Sequence, residues 1–409
     1  MEAREFDVVI WGATGFTGQL VVDYMFSQYG IGGEVAWAIA GRNREKLDQV
    51  AMDAAGNQAD QIPRIVADTT DVDAINDMVQ STRVVCTTVG PYALYGTVLV
   101  EACATHGTHC CDLTGEVQWM ARTIEQYQTL AESSGAKIVH TCGFDSIPSD
   151  MGVFYLQQQM QALHGSVASE VKYRVADTAG GISGGTVASL MNVMEEARVN
   201  PQINEVMADP YSLNPLNMPR GEDGPDQSAA LYDLDFMQWT APFVMAAINT
   251  RVVRRTNALT NYSYGRDFRY SEAMLMGNGP GGYLKATTVA GVSGLVMLTA
   301  AFGPARSLLK QVVPKPGEGP SPEAIANGFF NIELYGRHPD DKEKNLKIRV
   351  TGDRDPGYGA TSKMLAESAV CLAKDELGEK GGILTPASAM GDKLLQRLQN
   401  NAGMTFSVL

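Results

Sequence analysis

Short apolar segments alternate with helical patterns over the first 150 residues of the chain. The segment FDVVIW at 6–11 is mostly apolar, and residues 16–29 after it place apolar side chains at helical spacing. Strands and helices that alternate in this way are typical of βαβ units, whose strands lie parallel in one sheet. The pattern therefore predicts a doubly wound parallel sheet with six strands, at 6–11, 35–40, 62–67, 83–89, 108–113 and 136–142.

A different pattern begins after residue 150. Residues 169–176 alternate like a half-exposed strand, and the segments 329–335 and 346–351 flank a charged turn, which is typical of an antiparallel hairpin. Residues 199–235 contain five prolines and predict an irregular loop or lid. We therefore expect a second α+β domain built on a mostly antiparallel sheet. Further helices are predicted at 187–198, 359–376 and 386–400.

The first predicted strand leads into three glycines spaced three residues apart, Gly12, Gly15 and Gly18. Glycine at these positions permits a tight turn, a close approach of the backbone to a pyrophosphate, and close packing of the next helix on the strand. The helix N-terminus offers free N–H groups and positive potential to phosphate. A βα turn whose glycines serve only helix packing is the alternative, which the position in the first βαβ unit disfavours. The predicted Rossmann-type cofactor loop is Gly12, Ala13, Thr14, Gly15, Phe16, Thr17 and Gly18.

The end of the second predicted strand distinguishes between nucleotides. An Asp or Glu at this point binds the ribose 2′-OH of NAD, whereas an Arg accommodates the 2′-phosphate of NADP. Gly41 and Arg42 stand there, and a guanidinium binds phosphate through a fork of N–H groups. The alternative is that Arg42 pairs with Glu45 on the surface. We interpret Gly41 and Arg42 as cofactor contacts and predict NADP(H).

Polar residues and glycines follow four of the six predicted strands. Because the carboxyl ends of parallel strands line one crevice, these residues are predicted to face the cofactor, with Asp68 near the adenine and 88–92 near the nicotinamide. Each residue taken alone also suits a turn or a helix N-cap. The additional predicted cofactor contacts are Asp68, Thr88, Val89, Gly90, Pro91, Tyr92 and Gly143.

Hydride transfer requires a dry crevice and a proton source near the reacting atoms. Tyr92 is the first candidate for the proton donor because it follows a Gly-Pro turn at a strand end, and a packing tyrosine is the alternative. Cys142 and Asp145 are the other catalytic candidates. A buried structural thiol is the alternative for Cys142, and a helix cap is the alternative for Asp145. The five histidines show no metal-ligand spacing, so no metal is predicted.

Several of these segments resemble the saccharopine dehydrogenase-like oxidoreductases, in the branch that includes the trans-acting enoyl reductases of bacterial lipid and polyketide synthesis. The resemblance implies an NADP-type Rossmann domain, a second α/β domain that carries the substrate, and hydride transfer between them. The segment at 143–150 ends in Ser-Asp where the true saccharopine enzymes end in Asp-His, which puts imine chemistry in doubt. The similar segments are GATGFTG at 12–18, AGR at 40–42, TVGPY at 88–92, DLTGE at 112–116, GFDSIPSD at 143–150, GGISGGT at 180–186 and TPASAMG at 385–391.

The composition limits the partners. The 409-residue chain has a net charge of −14, which disfavours binding to nucleic acid. Its six cysteines form no CxxC pair and are expected to be reduced thiols. We find no signal peptide pattern, and the apolar run at 289–302 is too short to span a bilayer. The expected location is cytoplasmic, with peripheral attachment to a membrane as the alternative.

The predicted domains are an NADP-binding domain at 1–150, with 355–409 packing back on it, and a substrate and dimerisation domain at 151–354. Within the second domain, the region 236–317 is basic and apolar, with nine Arg or Lys against two Asp or Glu. Such a region suits a membrane surface, an acidic acyl-carrier protein, or a homodimer interface.

The resulting functional prediction is an NADPH-dependent oxidoreductase that reduces a C=C or C=O bond of a lipid-like acyl or polyketide substrate. One alternative is a saccharopine-type dehydrogenase acting on an amino-acid-derived imine, with Arg174 or Arg251 binding substrate carboxylates. The other alternative is a non-catalytic lipid-surface binding protein that keeps a Rossmann shell.

Overall fold

The structure is a computed structural model that describes residues 4–180, 184–301 and 319–409. The described strands form two seven-stranded sheets, which we call sheet A and sheet B. Sheet A is entirely parallel and sheet B is mostly antiparallel, so the predicted fold class is confirmed.

Sheet A contains the six predicted strands and a seventh from the C-terminal part of the chain. Its strands are β1 (Phe6–Trp11), β2 (Trp37–Gly41), β3 (Arg64–Val66), β4 (Thr82–Thr87), β5 (His109–Cys111), β6 (Lys137–Val139) and β13 (Gly382–Leu384). They lie in the order β13-β6-β5-β4-β1-β2-β3. The chain therefore runs outward in both directions from β1 and β4, and the crevice above their carboxyl ends is where such sheets bind ligands.

Alternation within the strands buries both faces of sheet A. Val8 and Ile10 pack into one hydrophobic core, whereas Val9 and Trp11 pack into the other. Two-sided burial explains why these strands are continuous apolar runs in the sequence. The helices of this part of the chain are α1 (Phe16–Tyr29), α2 (Arg44–Ala55), α3 (Val72–Ser81), α4 (Tyr92–Tyr95), α5 (Thr97–His106), α6 (Val117–Ser134) and α7 (Ile147–His164).

Sheet B has one apolar face, which packs into the same core as Val8 and Ile10. Its strands are β7 (Glu170–Ala179), β8 (Leu231–Asp233), β9 (Gln238–Ala241), β10 (Arg269–Gly277), β11 (Phe329–Arg337), β12 (Leu346–Gly352) and β14 (Met404–Val408). They lie in the order β14-β12-β11-β7-β10-β9-β8. The predicted hairpin is β11 and β12, paired antiparallel from Phe330 with Gly352 to Gly336 with Leu346. Of the described strand pairs in this sheet, β7 and β10 alone are parallel.

The remaining helices are α8 (Gly184–Val199), α9 (Gln202–Ala208), α10 (Ala246–Leu259), α11 (Gly279–Ala301), α12 (Pro322–Asn327), α13 (Thr361–Lys374) and α14 (Pro386–Asn400). Residues 181–183 of the glycine-rich segment before α8 lie outside the described residues, as do Arg306, Lys310 and Lys315 of the predicted basic region. Residues 199–235 are largely irregular, as predicted, but they also contain α9 and β8.

The C-terminal part of the chain contacts both sheets. The hydroxyls of Tyr24 and Tyr29 on α1 donate to Glu367 Oε1 on α13 at 2.7 and 2.6 Å. β13 extends sheet A beyond β6, and β14 pairs with β12 in sheet B. The last 50 residues therefore connect the part of the molecule built on sheet A, which we call the first half, with the part built on sheet B, which we call the second half. No helix among the described residues is long and apolar enough to cross a membrane.

Candidate active site

The glycine loop adopts a conformation that requires glycine. Gly12 has φ +93°, and a Cβ atom there would lie 2.7 Å from Thr88 Oγ1 and 2.8 Å from Val89 Cγ2. A Cβ at Gly18 would overlap the carbonyl oxygen of Gly12. Gly15 is the N-cap of α1, and no side chain caps this helix. The loop is thus tightly packed against its own backbone and against β4, while its helix N-terminus stays open to a ligand.

A cavity of about 520 Å³ opens beside this helix N-terminus, at the carboxyl ends of β1, β2 and β3. Arg42 and Lys46 both contribute to its wall, and neither side chain is hydrogen-bonded or ion-paired to another residue that the structure describes. In particular, Arg42 forms no ion pair with Glu45, the alternative raised by the sequence. The residues that line the cavity are Thr14, Gly15, Arg42, Asn43, Lys46 and Asp68.

Lys46 is a cavity residue that sequence reasoning missed. It lies in the first turn of α2, one helical turn after Arg42, and its backbone N–H is capped by Asn43 Oδ1 at 2.8 Å. The available signal was the spacing of four residues from Arg42, which places both cations on one side of the turn. Asp68 at the end of β3 accepts hydrogen bonds from the Thr70 N–H and hydroxyl, and these bonds lower the pKa of its carboxyl, with a smaller contribution from Arg42.

Tyr92 occupies a buried position on the other side of the glycine loop. Its hydroxyl donates to the Thr87 carbonyl at 3.3 Å and accepts from the Leu113 N–H at 3.2 Å. Its ring stacks on Trp119 with centroids 5.6 Å apart, and burial raises the pKa of the hydroxyl well above its usual value. This geometry matches the packing alternative, so a catalytic role for Tyr92 remains a prediction that rests on the sequence alone.

Cys142 is also buried. Its Sγ lies 3.4 Å from the Val139 carbonyl, and burial raises the pKa of the thiol well above its usual value. A raised pKa keeps the sulfur protonated and weakly nucleophilic. Gly143 next to it packs closely, because a Cβ atom there would lie 2.7 Å from Leu113 Cδ2 and 3.0 Å from Thr361 Cγ2. Both residues suit close packing between β6, the loop after β5 and α13.

Asp145 differs from Cys142 and Gly143 because it lies at the contact between the two halves of the molecule. It is half-buried, and its carboxyl is hydrogen-bonded to no residue within the described ranges. A Cβ atom added to Gly115 would lie 4.0 Å from Asp145 Oδ2 and 3.1 Å from Ile248 Cδ1 on α10. Burial raises the pKa of Asp145 to about 7. A carboxyl of this kind is neutral at acidic pH and ionised at alkaline pH, so it can hold and release a proton near neutrality.

Two other acidic residues of the same region have structural partners. Asp112 Oδ2 contacts His140 Nδ1 at 2.6 Å in a fully buried pair. Asp150 accepts from Thr256 Oγ1 at 2.5 Å and from the Ala387 N–H at 2.8 Å, so it joins α7 to α10 and to the start of α14. Asp150 therefore lies inside α7 and does not cap that helix; its carboxyl binds the first turn of α14 instead.

Three arginines of the second half are buried and paired with aspartates. Arg174 Nη2 lies 2.8 Å from Asp233 Oδ2, and Arg251 Nη1 lies 2.8 Å from Asp226 Oδ2. Arg254 pairs with Asp223, also at 2.8 Å. Burial alone would raise the pKa of Asp233, but Arg174 and Lys172 outweigh burial and lower it. Within the described part of the region 236–317, Arg251, Arg254 and Arg255 are buried and serve as internal supports, whereas Arg266 and Arg269 are exposed.

Comparison with known proteins identifies the family. Residues 8–139 match the saccharopine dehydrogenase NADP binding domain. The chain is 41% identical to a putative trans-acting enoyl reductase of Mycobacterium tuberculosis, with 97% of this chain and 96% of that protein aligned. The chain belongs to the trans-acting enoyl reductase branch of the saccharopine dehydrogenase-like family. A trans-acting enoyl reductase of Mycobacterium bovis is 38% identical over the same shares of the two chains.

A solved structure shares the fold of this family member. Apo saccharopine dehydrogenase (L-Glu forming) from Saccharomyces cerevisiae aligns with a TM-score of 0.52 and 12% identity, over 99% of this chain and 100% of that one. The family and the NADP-binding domain make this protein an NADP-dependent, enoyl reductase-like oxidoreductase.

The residues present fit NADP(H). The N-terminus of α1 has no side-chain cap, and its backbone N–H groups would hold the diphosphate. Arg42 and Lys46 line the cavity beside this N-terminus, and neither forms an ion pair with a described residue, although Arg42 is close enough to Asp68 to lower the pKa of its carboxyl. Two such cations suit the extra phosphate of NADP. With the adenosine half beside β2 and β3, the residues at the ends of β4, β5 and β6 would be the ones to hold the nicotinamide half.

Proposed function

We propose that this enzyme uses NADPH to reduce the C=C bond of an acyl thioester whose reacting end carries no carboxylate. The observation that carries this proposal is the burial of Arg174 and Arg251 in ion pairs with Asp233 and Asp226. An amino-acid imine dehydrogenase needs cations in its cleft to bind substrate carboxylates. The two arginines that the sequence offers for this task are engaged inside the second half, where breaking either pair would leave a buried charge without a partner.

A preference for NADPH over NADH is supported by the two cations of the cofactor cavity, Arg42 and Lys46, which form no ion pair within the described part of the chain. Arg42 can bind a phosphate through two N–H groups, and Lys46 adds a point charge one helical turn away. A ribose 2′-OH offers neither cation a negative charge. NADH would therefore leave Arg42 and Lys46 without a phosphate to bind.

Asp145 is our candidate for the proton donor. When bound, NADPH supplies a hydride to the β carbon of the enoyl group, and the electron pair of the C=C bond then requires a proton at the α carbon. The protonated carboxyl of Asp145 lies at the joint of the two halves and makes no competing hydrogen bond to a described residue. To complete the cycle, the Asp145 carboxylate must regain a proton from solvent.

The substrate is expected to arrive on another protein. The curated relatives are named trans-acting enoyl reductases, and an enzyme that acts in trans meets its acyl chain on a separate carrier. Helix α11 presents an apolar surface, with Tyr283, Leu284, Val292 and Leu295 each at least half exposed. This surface suits a neutral, apolar contact with the acyl chain or its carrier better than an anionic one, because Lys285 is its one charged residue within Gly279–Val296.

The proposal is tested by NADPH oxidation, followed by nicotinamide absorbance, with two substrate sets. One set contains 2-enoyl thioesters of pantetheine, and the other contains glutamate or lysine with an aldehyde partner. We expect turnover with the thioesters alone, and turnover at least about a hundredfold slower in an Asp145→Asn variant that still binds NADPH. Turnover of the amino acid set would contradict the proposal, as would equal use of NADH and NADPH.

A further inference from the structure

Glu116 is a buried carboxylate that lies where three parts of the molecule meet. It belongs to the DLTGE segment after β5, and its side chain is fully buried. Glu116 Oε1 accepts from the Tyr92 N–H at 2.7 Å, and Oε2 accepts from the Ala93 N–H at 3.0 Å. Oε1 also accepts from Ser189 Oγ on α8 at 2.9 Å. One side chain therefore connects the loop after β4, the loop after β5 and a helix of the second half.

The balance of interactions shows how this carboxylate is kept at its position. The pKa of Glu116 is raised, mainly by burial and in small part by the nearby Glu196, and the hydrogen bonds from Ala93, Tyr92 and Ser189 offset only part of this increase. No ion pair with a cation is formed by Glu116 in the part of the chain that the structure describes. Its three neutral donors thus take the place of a counter-ion, and hydrogen bonds to a charged group are stronger than those between neutral groups.

The loop that Glu116 fixes forms the wall on the nicotinamide side. Thr88 Oγ1 donates to the carbonyl of Gly12 at 3.1 Å, so this loop starts against the glycine loop itself. The cavity that contains Arg42 lies on the opposite side of β1. A change in the loop between Thr88 and Ala93 should therefore alter the nicotinamide half of the site and leave the adenosine half unchanged.

We propose that Glu116 is a positioning residue that couples the place of α8 to the shape of the nicotinamide-side wall. When α8 lies against the first half, Ser189 completes the set of donors and the loop is held. When α8 moves away, the carboxylate loses one of its three bonds and the loop is held less firmly. This inference rests on the proposed function for the identity of the cofactor, and it assigns to the second half a role in ordering the reactive end of that cofactor.

The test compares two ligands that share the adenosine half. NADPH spans the whole site, whereas 2′,5′-ADP contains only the adenosine half with its 2′-phosphate. In Glu116→Gln, an amide N–H group faces a backbone N–H group, and we expect NADPH to bind about tenfold more weakly, as for a lost hydrogen bond to a buried charge. The affinity for 2′,5′-ADP should stay unchanged. Ser189→Ala should move the ratio of the two affinities in the same direction by a smaller factor, and it decides the question if Glu116→Gln does not fold.

A second variant tests the coupling itself. Arg122 on α6 pairs with Glu196 on α8 at 2.8 Å, so this ion pair also holds α8 against the first half. Arg122→Gln keeps all three donors of Glu116 but loosens α8, and it should lower the ratio of affinities by no more than Ser189→Ala does. Lys344→Ala, which removes an exposed pair with Asp341, is the matched control and should leave the ratio unchanged. The inference is overturned if Lys344→Ala lowers the ratio as much as Ser189→Ala, or if both Glu116 and Ser189 variants weaken the two ligands equally. Because the readout is binding, a failure of thioester reduction does not affect it.

Discussion

The cofactor side and the second half of this enzyme both contain arginines, but the two sets stand in opposite surroundings. Arg42 lines an open cavity and pairs with no described residue, whereas Arg174 and Arg251 are buried and each contacts an aspartate at 2.8 Å. A free cation at the mouth of a helix is available to a ligand phosphate, and a buried, paired cation supports the fold. The surroundings of a charge, rather than its residue type, therefore separate binding residues from structural ones.

The same distinction holds between two aspartates five positions apart. Burial raises the pKa of Asp145 and of Asp150 to about 7 in each case. Asp150 is held by Thr256 and Ala387, whereas Asp145 makes no hydrogen bond to any residue of the described ranges. We therefore assign proton transfer to Asp145 and a structural role to Asp150.

The largest expected effect concerns Asp145. Replacing Asp145 by Asn removes the proton donor, so we expect kcat to fall by about 10²- to 10⁴-fold, the range for general acid catalysis, with NADPH affinity unchanged. Only the protonated carboxyl can donate, so wild-type kcat should fall as the pH rises through about 7. Single-turnover rates measured from pH 5 to pH 9 test this. A variant with the wild-type pH profile would show that another group donates.

The second prediction concerns the buried pair of Arg174 with Asp233. Arg174→Met leaves an aspartate buried without its main counter-ion, and we expect the free energy of unfolding to fall by about 3 kcal/mol. The KM for the thioester should not change. Urea denaturation followed by circular dichroism measures the loss. Lys344→Ala, which removes an exposed pair with Asp341, is the control and should change stability by less than about 0.5 kcal/mol.

The third prediction concerns Arg42. Arg42→Ala removes the forked phosphate ligand, so NADPH should bind about ten- to a hundredfold more weakly, as expected for lost hydrogen bonds between charged groups. NADH has no 2′-phosphate, and its affinity should be unchanged. Titration of nicotinamide fluorescence gives both constants. Equal losses for the two nucleotides would mean that Arg42 supports the loop and does not contact the phosphate.

The smallest expected effect concerns Lys46. Its exposed ammonium group acts as a point charge, and Lys46→Ala should weaken NADPH binding by only about two- to fivefold at low salt. The difference from wild type should shrink as the salt concentration rises. Isothermal titration calorimetry at two ionic strengths measures this. A salt-independent loss would indicate a direct hydrogen bond in place of a screened charge.

Much of the fold was predictable because local pattern and tertiary role agree. The six strands of sheet A are apolar runs bounded by helical segments, and their burial on both faces preserves that signal. Strand β13 was missed because its three residues pair with β6, which lies more than 200 residues earlier in the chain. Strands β8 and β9 are also short, and their pairing depends on neighbours that the sequence does not place.

The candidate site was predictable where the backbone itself determines the residue. A Cβ atom at Gly12 or Gly18 would clash with neighbouring atoms, so these positions must be glycine and can be recognised in the sequence. The role of Glu116 could not be recognised in the sequence, because its hydrogen-bond donors are Tyr92, Ala93 and Ser189, which are distant in the chain. The pairing of Arg174 and Arg251 was likewise invisible, since their partners lie 59 and 25 residues away.

The central claim is that NADPH reduces an acyl C=C bond, and isotope transfer measures it most directly. NADPH deuterated at the reactive carbon of the nicotinamide is incubated with the enzyme and a 2-enoyl pantetheine thioester, and the product is analysed by mass spectrometry. The account predicts one deuterium at the β carbon of a saturated product, and at least about a hundredfold less of this product when Asp145→Asn replaces the wild type over the same time. Deuterium found in an amine formed from an amino acid and an aldehyde, with none in the thioester, would contradict it.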